Sequence, residues 1–241
     1  MRLAILVTNT DSSAFARARP RDDAKFAHLL GRVRPGWNFE AFVVRDGVFP
    51  DDPACFDGVI VTGSPASVNS GADWVARLLD LIRRMVAQGV AIFGACFGHQ
   101  AVALAMGGRV APNPGGWVHG LVRTETLARK EWTRDLADVV YLYASHSEQV
   151  ADLPAGAEIL ARSQDCPVAG FAIGNRVYTT QHHPEMTHDF IADLTGELAG
   201  KLGPRRTARA RASLARPADT GPFAESVARF FELASGSART Q

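Results

Sequence analysis

The segment Ile92-Phe93-Gly94-Ala95-Cys96-Phe97-Gly98-His99-Gln100 joins an apolar run to a cysteine that has a glycine two positions away on each side. The apolar run is typical of a buried strand, and the apolar residues that continue to Met106 predict a helix. We therefore expect a tight turn from strand to helix with Cys96 at its corner, the layout of a nucleophile elbow. Flanking glycines suit such a turn because neighbouring backbones must approach closely. A buried structural cysteine at a tight turn is the alternative.

The position of Cys96 also favours its activation. Free amides at the start of a helix stabilise negative charge, so we expect the thiolate form of Cys96 to be favoured. The amide of Phe97 would then point at a carbonyl under attack and supply one half of an oxyanion hole.

The rest of the chain shows the patterns of an α/β protein. Strands are predicted at 3–7, 39–44, 58–62 and 90–93, and helices at 22–30, 73–87 and 188–202. This alternation predicts an open, mostly parallel, doubly wound sheet with helices on both faces. Residues 109–181 are rich in Val, Thr and Tyr and are punctuated by Gly and Pro, which predicts a smaller antiparallel β region.

The domain organisation follows from a change in composition near residue 202. Residues 1–202 are expected to form one domain, and residues 203–221, rich in Arg, Pro and Ala, are predicted to be a solvated linker. Residues 222–241 are predicted to be an amphipathic helix and tail, because their apolar residues follow helical spacing. The arginine-rich stretch has no interleaved aromatic residues, which disfavours nucleic-acid binding.

The composition disfavours several classes of function. The 241 residues carry a formal net charge of +1, so no global field draws the chain to nucleic acid or to an anionic membrane. The sequence shows neither a signal peptide nor a membrane span, and we expect a cytoplasmic protein. Three widely spaced cysteines fit neither a disulfide framework nor a zinc pattern, and Cys55 and Cys166 are expected to be structural.

A thiolate nucleophile requires a histidine that a third group orients. In the segment Gln181-His182-His183-Pro184-Glu185, Pro184 biases His183 toward an extended backbone, and the carboxylate of Glu185 is near enough in sequence to hold the imidazole. His183 is therefore the predicted base and Glu185 its orienting group. The alternative is a surface histidine before a helix, with Glu185 as a favourable charge in the first helical turn.

Together, the motifs at 94–100 and 181–185 closely resemble the class I glutamine amidotransferases, and the resemblance extends from the first strand to about Leu202. Val61-Thr62-Gly63-Ser64-Pro65 resembles the oxyanion strand of that family, and Ser145-His146-Ser147-Glu148-Gln149-Val150 resembles a segment whose backbone holds glutamine. The resemblance implies a flavodoxin-like fold and a Cys-His-Glu triad.

Carried over by position, the resemblance assigns roles to individual residues. It implies Cys96 as nucleophile, His183 as base and Glu185 as the third member of the triad. The amides of Ser64 and Phe97 would form the oxyanion hole. The residues expected to bind substrate or to line its site are Gly63, Gln100, His146, Ser147 and Glu148. For His146, an ordinary histidine at a strand end is an equal alternative.

Some positions depart from the family pattern. Ser64 replaces the usual second glycine of the oxyanion turn, which suits a substrate bulkier than free glutamine, and His182 replaces a commoner apolar residue. A metal site is disfavoured, because His183 and His188 are five residues apart and Pro184 interrupts the element between them.

The resemblance implies hydrolysis of the γ-carboxamide of glutamine, or of a γ-glutamyl compound, through a γ-glutamyl thioester on Cys96. This half-reaction needs no flavin, nucleotide or metal. Nothing after residue 202 is large enough to be a synthetase domain. A separate synthetase subunit that receives ammonia and a stand-alone γ-glutamyl peptide hydrolase therefore both remain open. The intact triad disfavours a non-catalytic binding module on the same fold, and the 181–185 motif disfavours the related chaperone and deglycase type.

Overall fold

The computed structural model describes residues 1–238, and residues 239–241 of the predicted tail lie outside the described residues. The strands are β1 (Arg2–Leu6), β2 (Asn38–Phe42), β3 (Gly58–Val61), β4 (Ile92–Ala95), β5 (Arg109–Pro112), β6 (Val118–Thr126), β7 (Val139–His146), β8 (Glu148–Asp152), β9 (Ala157–Ser163), β10 (Cys166–Ile173) and β11 (Val177–Thr180). The helices are α1 (Ala14–Arg17), α2 (Asp22–Gly31), α3 (Asp73–Ala87), α4 (Phe97–Ala105), α5 (His188–Glu197), α6 (Ala199–Ser213) and α7 (Thr220–Ala238). No helix within residues 1–238 combines the length and the apolar character needed to cross a membrane.

Nine of the described strands form one sheet in the order β2-β1-β3-β4-β11-β10-β9-β6-β7. Strands β1 to β4 and β11 are parallel, and β10, β9, β6 and β7 extend the sheet in antiparallel fashion. Strands β5 and β8 form a separate antiparallel pair. The predicted α/β fold, with a mostly parallel sheet and a smaller antiparallel region, is confirmed.

One strand differs from the sequence prediction. Val177–Thr180 was expected within the antiparallel region, but β11 pairs in parallel with β4 and antiparallel only with β10. All four of its residues are buried, which suits a strand in the middle of a sheet that is covered on both faces. This pairing places Thr180 opposite Ala95, so the chain after β11 leaves the sheet beside the elbow.

Helices cover both faces of the sheet because successive strand residues point to opposite sides. Along β1, Ala4 and Leu6 pack toward α3 and α4, whereas Leu3 and Ile5 pack toward α2 and α7. The spacing in α3 places one stripe in the core: Val75, Leu78, Leu81, Ile82 and Met85. Full burial of each such side chain is worth about 1.5–3 kcal/mol.

The segment predicted as a linker, 203–221, is mostly helical, and this prediction is wrong. Helix α6 runs through it to Ser213, with a kink where Gly203 adopts φ 75° and Pro204 restarts the helix. Arg and Ala are good helix formers, and proline is favoured in a first helical turn. The buried side chains of Thr207 and Ala210 face the protein, so the arginines occupy the outer side of a docked helix.

Helix α7 completes the face of the sheet that carries Leu3 and Ile5. Its residues Phe223, Phe230 and Phe231 are at most 7% exposed and pack in the same cluster as the strands. Arg34, just beyond α2, forms ion pairs with Glu225 and Glu232 of α7 at 2.9 and 2.5 Å. The predicted amphipathic helix is therefore present, and it is part of the main core.

Candidate active site

The chain turns sharply at Cys96, between the buried strand β4 and helix α4. Cys96 has φ 51° and ψ −104°, and it is the one non-glycine residue with positive φ among residues 1–238. Such a conformation costs about 1–3 kcal/mol and persists only where the surroundings enforce it. The backbone amide of Cys96 donates to the Thr180 carbonyl at 2.9 Å, which ties the elbow to β11.

The two glycines around Cys96 are required by close backbone contacts. A Cβ atom on Gly94 would lie 2.7 Å from the carbonyl oxygen of Gly98. A Cβ on Gly98 would overlap the carbonyl oxygen of Val61, and the amide of Gly98 donates to the Thr62 carbonyl at 3.1 Å. The elbow is thus held against β3 by backbone contacts that only glycine permits.

His183 lies beside Cys96 and is held by Glu185. Its Nδ1 is 2.7 Å from Oε1 of Glu185, and its backbone amide donates to the carbonyl of Tyr143 at 2.8 Å. A Cβ built on Gly63 would lie 2.8 Å from Cε1 of His183 and 3.5 Å from Cβ of Cys96. The structure therefore brings Gly63, Cys96, His183 and Glu185 together.

The electrostatics favour the protonated form of His183. Burial disfavours the charged imidazole, but the charges of Glu185 and Cys96, with their hydrogen bonds to the ring, outweigh burial and raise the pKa of His183 well above its usual value. A protonated imidazole in turn stabilises the negative charge of a thiolate. His183 therefore lies between a carboxylate and a cysteine sulfur, and both contacts favour its protonated form.

The two backbone amides predicted to form the oxyanion hole, those of Ser64 and Phe97, lie next to the residues around Cys96 in the chain. In the part of the chain that the structure describes, neither the amide of Ser64 nor that of Phe97 donates a hydrogen bond. Ser64 follows Gly63, and Phe97 follows Cys96 as the first residue of α4. The Ser64 hydroxyl accepts a hydrogen bond from the amide of Ala66 at 3.1 Å, which fixes the turn after β3.

The residues expected to bind substrate cluster around the backbone of Glu148. The side-chain amide of Gln100 donates to the Glu148 carbonyl at 2.9 Å, and Nδ1 of His146 donates to the same oxygen at 2.9 Å. The carboxylate of Glu148 accepts from the hydroxyl of Ser67 at 3.0 Å, while Ser147 is exposed. Gln100 is buried, so its amide holds the 145–150 segment in position.

Four other imidazoles near His183 are kept neutral. Burial lowers the pKa of His99 to about 3 and the pKa values of His146 and His119 to about 4, and neighbouring histidines add to the effect. Burial also lowers the pKa of His182 well below its usual value. Among the described residues, no group of three His, Cys, Asp or Glu side chains is arranged to hold a metal ion. His183 therefore differs from its neighbours because it alone contacts both the carboxylate and the sulfur.

Sequence reasoning missed two residues that build the site. Tyr143 accepts the backbone hydrogen bond of His183 across an isolated bridge between distant segments. His119 lies within 3.1 Å of the hydroxyl of Ser145 and 3.0 Å of that of Thr195. Neither residue belongs to a motif. Their contacts depend on the pairing of segments that are distant in the sequence, Tyr143 with His183 and His119 with Ser145. Of the other cysteines, Cys166 is buried and Cys55, expected to be structural, is exposed.

A strained cysteine at a strand-to-helix turn, next to a histidine that contacts a carboxylate, is the arrangement expected in proteins with an activated cysteine nucleophile. The family model for glutamine amidotransferase class-I matches residues 47–190, and the chain belongs to this family. The family expected from the sequence motifs is thereby confirmed.

Relatives in sequence agree with this assignment, and a solved structure shares the fold. The chain is 30% identical over 202 residues to γ-glutamyl peptidase 3 of Arabidopsis thaliana, covering 80% of each chain. It is 31% identical over 171 residues to the glutamine-hydrolyzing GMP synthase subunit of Methanosarcina mazei, covering 68% of this chain and 84% of that one. A glutamine amidotransferase structure from Thermotoga maritima superposes with a TM-score of 0.76 at 18% identity, covering 96% of this chain and 98% of that one, and shows the same fold.

Proposed function

We propose that this protein hydrolyses the γ-amide bond of a γ-glutamyl compound through a γ-glutamyl thioester on Cys96. The observation that carries the proposal is the contact among Cys96, His183 and Glu185, which raises the pKa of His183 well above its usual value despite burial. A buried imidazole that keeps its proton between a carboxylate and a thiol is suited to proton transfer. The similarity to γ-glutamyl peptidase 3 and to a glutamine-hydrolyzing GMP synthase subunit supports an amide of glutamate as the substrate.

In the first half-reaction, the Cys96 thiolate attacks the γ-carbonyl carbon of the substrate. The carbonyl oxygen becomes an oxyanion, which the amides of Ser64 and Phe97 would stabilise, since neither donates a hydrogen bond within the described residues. The C–N bond then breaks, and the departing nitrogen takes its proton from the imidazolium of His183. The product is a γ-glutamyl thioester on Cys96 and a free amine or ammonia.

In the second half-reaction, the neutral imidazole of His183 takes a proton from water. The hydroxide attacks the thioester carbon, the C–S bond breaks, and glutamate leaves while the thiolate–imidazolium pair is restored. Glu185 keeps the ring oriented through both steps, because its contact with Nδ1 leaves Nε2 for proton transfer. The Glu148 segment and Ser147 would bind the α-amino acid end of the γ-glutamyl group.

A second candidate is a glutaminase component that delivers ammonia to a separate synthetase. The similarity to the GMP synthase subunit of Methanosarcina mazei, of which the chain covers 84%, favours this candidate. The two candidates share the chemistry at Cys96 and differ in the leaving group. Glutamine would release ammonia, whereas a γ-glutamyl peptide would release an amine that carries the rest of the peptide.

The test measures release of glutamate from glutamine and from a panel of γ-glutamyl peptides. We expect Cys96→Ala to lower turnover by more than about 10³-fold, since it removes the nucleophile. Cys166→Ala is the matched control, because Cys166 is also buried but burial raises the pKa of its thiol to about 12. Brief incubation followed by mass spectrometry should show a γ-glutamyl adduct on the peptide that contains Cys96. Full turnover by Cys96→Ala would refute the proposal.

A further inference from the structure

Two buried threonines lie just beyond the ends of neighbouring strands, beside the turn that contains Gly63. Thr8 follows β1, Thr62 follows β3, and both residues are fully buried. Their hydroxyl oxygens are 3.1 Å apart, and the hydroxyl of Thr62 accepts a hydrogen bond from the backbone amide of Thr8 at 3.0 Å. Burial of a hydroxyl group is costly unless it is hydrogen-bonded, so the partners of this pair indicate its role.

The carbonyl oxygen of Gly63 is the acceptor that the two hydroxyls share. It lies 2.9 Å from Oγ1 of Thr8 and 3.3 Å from Oγ1 of Thr62, and no backbone amide within residues 1–238 donates to it. The other carbonyl within reach of Thr8, that of Thr62, accepts a hydrogen bond from the amide of Gly98 at 3.1 Å. A hydroxyl has one hydrogen to donate, and we assign that of Thr8 to the carbonyl of Gly63 because this carbonyl has no backbone donor.

This hydrogen bond fixes the direction of the next backbone amide. A trans peptide unit is planar, so its carbonyl and its N–H point in opposite directions, and the described chain has no cis peptide bond. The carbonyl of Gly63 and the amide of Ser64 belong to one such unit. Strand β3 lies between β1 and β4 in the sheet, and Thr8 follows β1 whereas Cys96 follows β4. A carbonyl held toward Thr8 therefore turns the Ser64 amide away from β1, to the side on which Cys96 lies.

We propose that Thr8 is a positioning residue for the oxyanion hole, because its hydroxyl holds the Gly63 carbonyl so that the Ser64 amide faces the reacting carbonyl. The inference rests on the proposed function and adds a residue that belongs to neither sequence motif. A Cβ on Gly63 would lie 3.5 Å from Cβ of Cys96, so this peptide borders the nucleophile. Without the Thr8 hydroxyl, the buried carbonyl loses the nearer of its two donors. Rotation of the peptide would then replace the N–H by a carbonyl oxygen, which repels an oxyanion.

The test separates the oxyanion hole from the nucleophile. Thr8→Val removes the hydroxyl and keeps the shape of the side chain, whereas Thr8→Ser keeps the hydroxyl. We expect Thr8→Val to lower kcat for the best γ-glutamyl compound by about tenfold to 10²-fold with KM unchanged, because loss of a complete oxyanion donor costs about 10²–10³-fold. Thr8→Ser should keep a kcat near the wild-type value. Circular dichroism verifies the fold, and Thr8→Ala takes the place of Thr8→Val if that variant does not fold.

Alkylation of Cys96 by iodoacetamide is the second readout. In this reaction the thiolate attacks a methylene carbon and iodide leaves, so no oxyanion forms and the rate depends on the state of the Cys96 sulfur. Thr8→Val should be alkylated at the wild-type rate although its kcat is lower. A general disturbance of the site would slow both reactions.

Thr207→Val is the control, because the buried hydroxyl of Thr207 donates to the Gly203 carbonyl at 2.8 Å within α6, and its loss should leave kcat unchanged. A crystal structure of Thr8→Val should show the peptide between Gly63 and Ser64 rotated. An unrotated peptide, a wild-type kcat in Thr8→Val, or an equal loss of kcat in Thr8→Ser would each overturn the inference but leave the proposed function intact. A matching fall in the alkylation rate would do the same. No turnover of any γ-glutamyl compound by the wild type would refute the proposed function, and the structure of Thr8→Val would then decide whether the hydroxyl holds the peptide.

Discussion

Substitution of Gly63 by alanine tests whether the position of His183 controls reactivity. The φ of Gly63 lies outside the left-handed region, so alanine can adopt its backbone, but the new Cβ would lie 2.8 Å from Cε1 of His183. Ordinary carbon–carbon contacts are about 3.5–4.0 Å, so the ring must move by roughly 0.7 Å or more. Misplacement by about 1 Å costs a reaction about 10²-fold. We expect kcat/KM to fall between tenfold and 10²-fold by this estimate.

The assay has two readouts, one of which needs no substrate. The first is glutamate release from the best γ-glutamyl compound. The second is the rate at which iodoacetamide alkylates Cys96 at pH 7, followed by peptide mass spectrometry so that exposed Cys55 is counted separately. Loss of the imidazolium beside the sulfur should slow this alkylation.

Gly36→Ala is the control, since nothing lies within 4 Å of a Cβ at that position. The fold of Gly63→Ala should persist, because overpacking of this kind costs about 1–3 kcal/mol. Wild-type turnover together with a wild-type alkylation rate in Gly63→Ala would refute the reasoning. An unfolded Gly63→Ala chain would show instead that the contact is structural.

Three further predictions concern charge and packing. Glu185→Gln removes the charge that raises the pKa of His183, so that pKa should fall, the alkaline limb of the pH profile should move to lower pH, and kcat should drop by about 10²-fold. Because the pKa of His146 is about 4 when folded and 6.5 when exposed, the unfolded chain binds more protons between these values. The contribution of His146 to stability should therefore fall by about 3 kcal/mol from pH 6.5 to pH 4, in addition to the falls from His99, His119 and His182, and urea unfolding of His146→Gln should show a smaller total fall. Phe230→Ala should cost about 3–5 kcal/mol in the same assay, whereas Val48→Ala, at an exposed position, should cost less than about 0.5 kcal/mol.

Local patterns predicted the elbow and its helix because the determinants lie within a few residues. The apolar run before Cys96 and the two glycines require no knowledge of the rest of the chain. Helix α3 was predicted with the bounds that the structure shows, Asp73–Ala87, since its buried stripe repeats with helical period. The three residues predicted to form the triad were found through motif resemblance, and the structure places them in contact.

Features that depend on distant pairing escaped prediction. The parallel insertion of β11 beside β4 brings His183 to Cys96, yet its four residues alone do not show which strand they pair with. The role of Tyr143 depends on the same register. Helix α6 was missed because its many arginines suggested a segment exposed to solvent on all sides. One narrow stripe of α6 is in fact buried against the protein.

The contribution of α7 to the core has a consequence for the order of synthesis. Helix α2 covers part of the face of the sheet formed by Leu3, Ile5 and Tyr178, and the rest stays uncovered until Phe223 and the residues after it have been made. Phe223 is the 45th residue after Tyr178, and the synthesis of these residues takes about 2–9 s at a ribosome that adds about 5–20 residues/s. During that interval part of the apolar face has no cover, and a chain truncated before α7 would be prone to aggregate although it retains Cys96, His183 and Glu185.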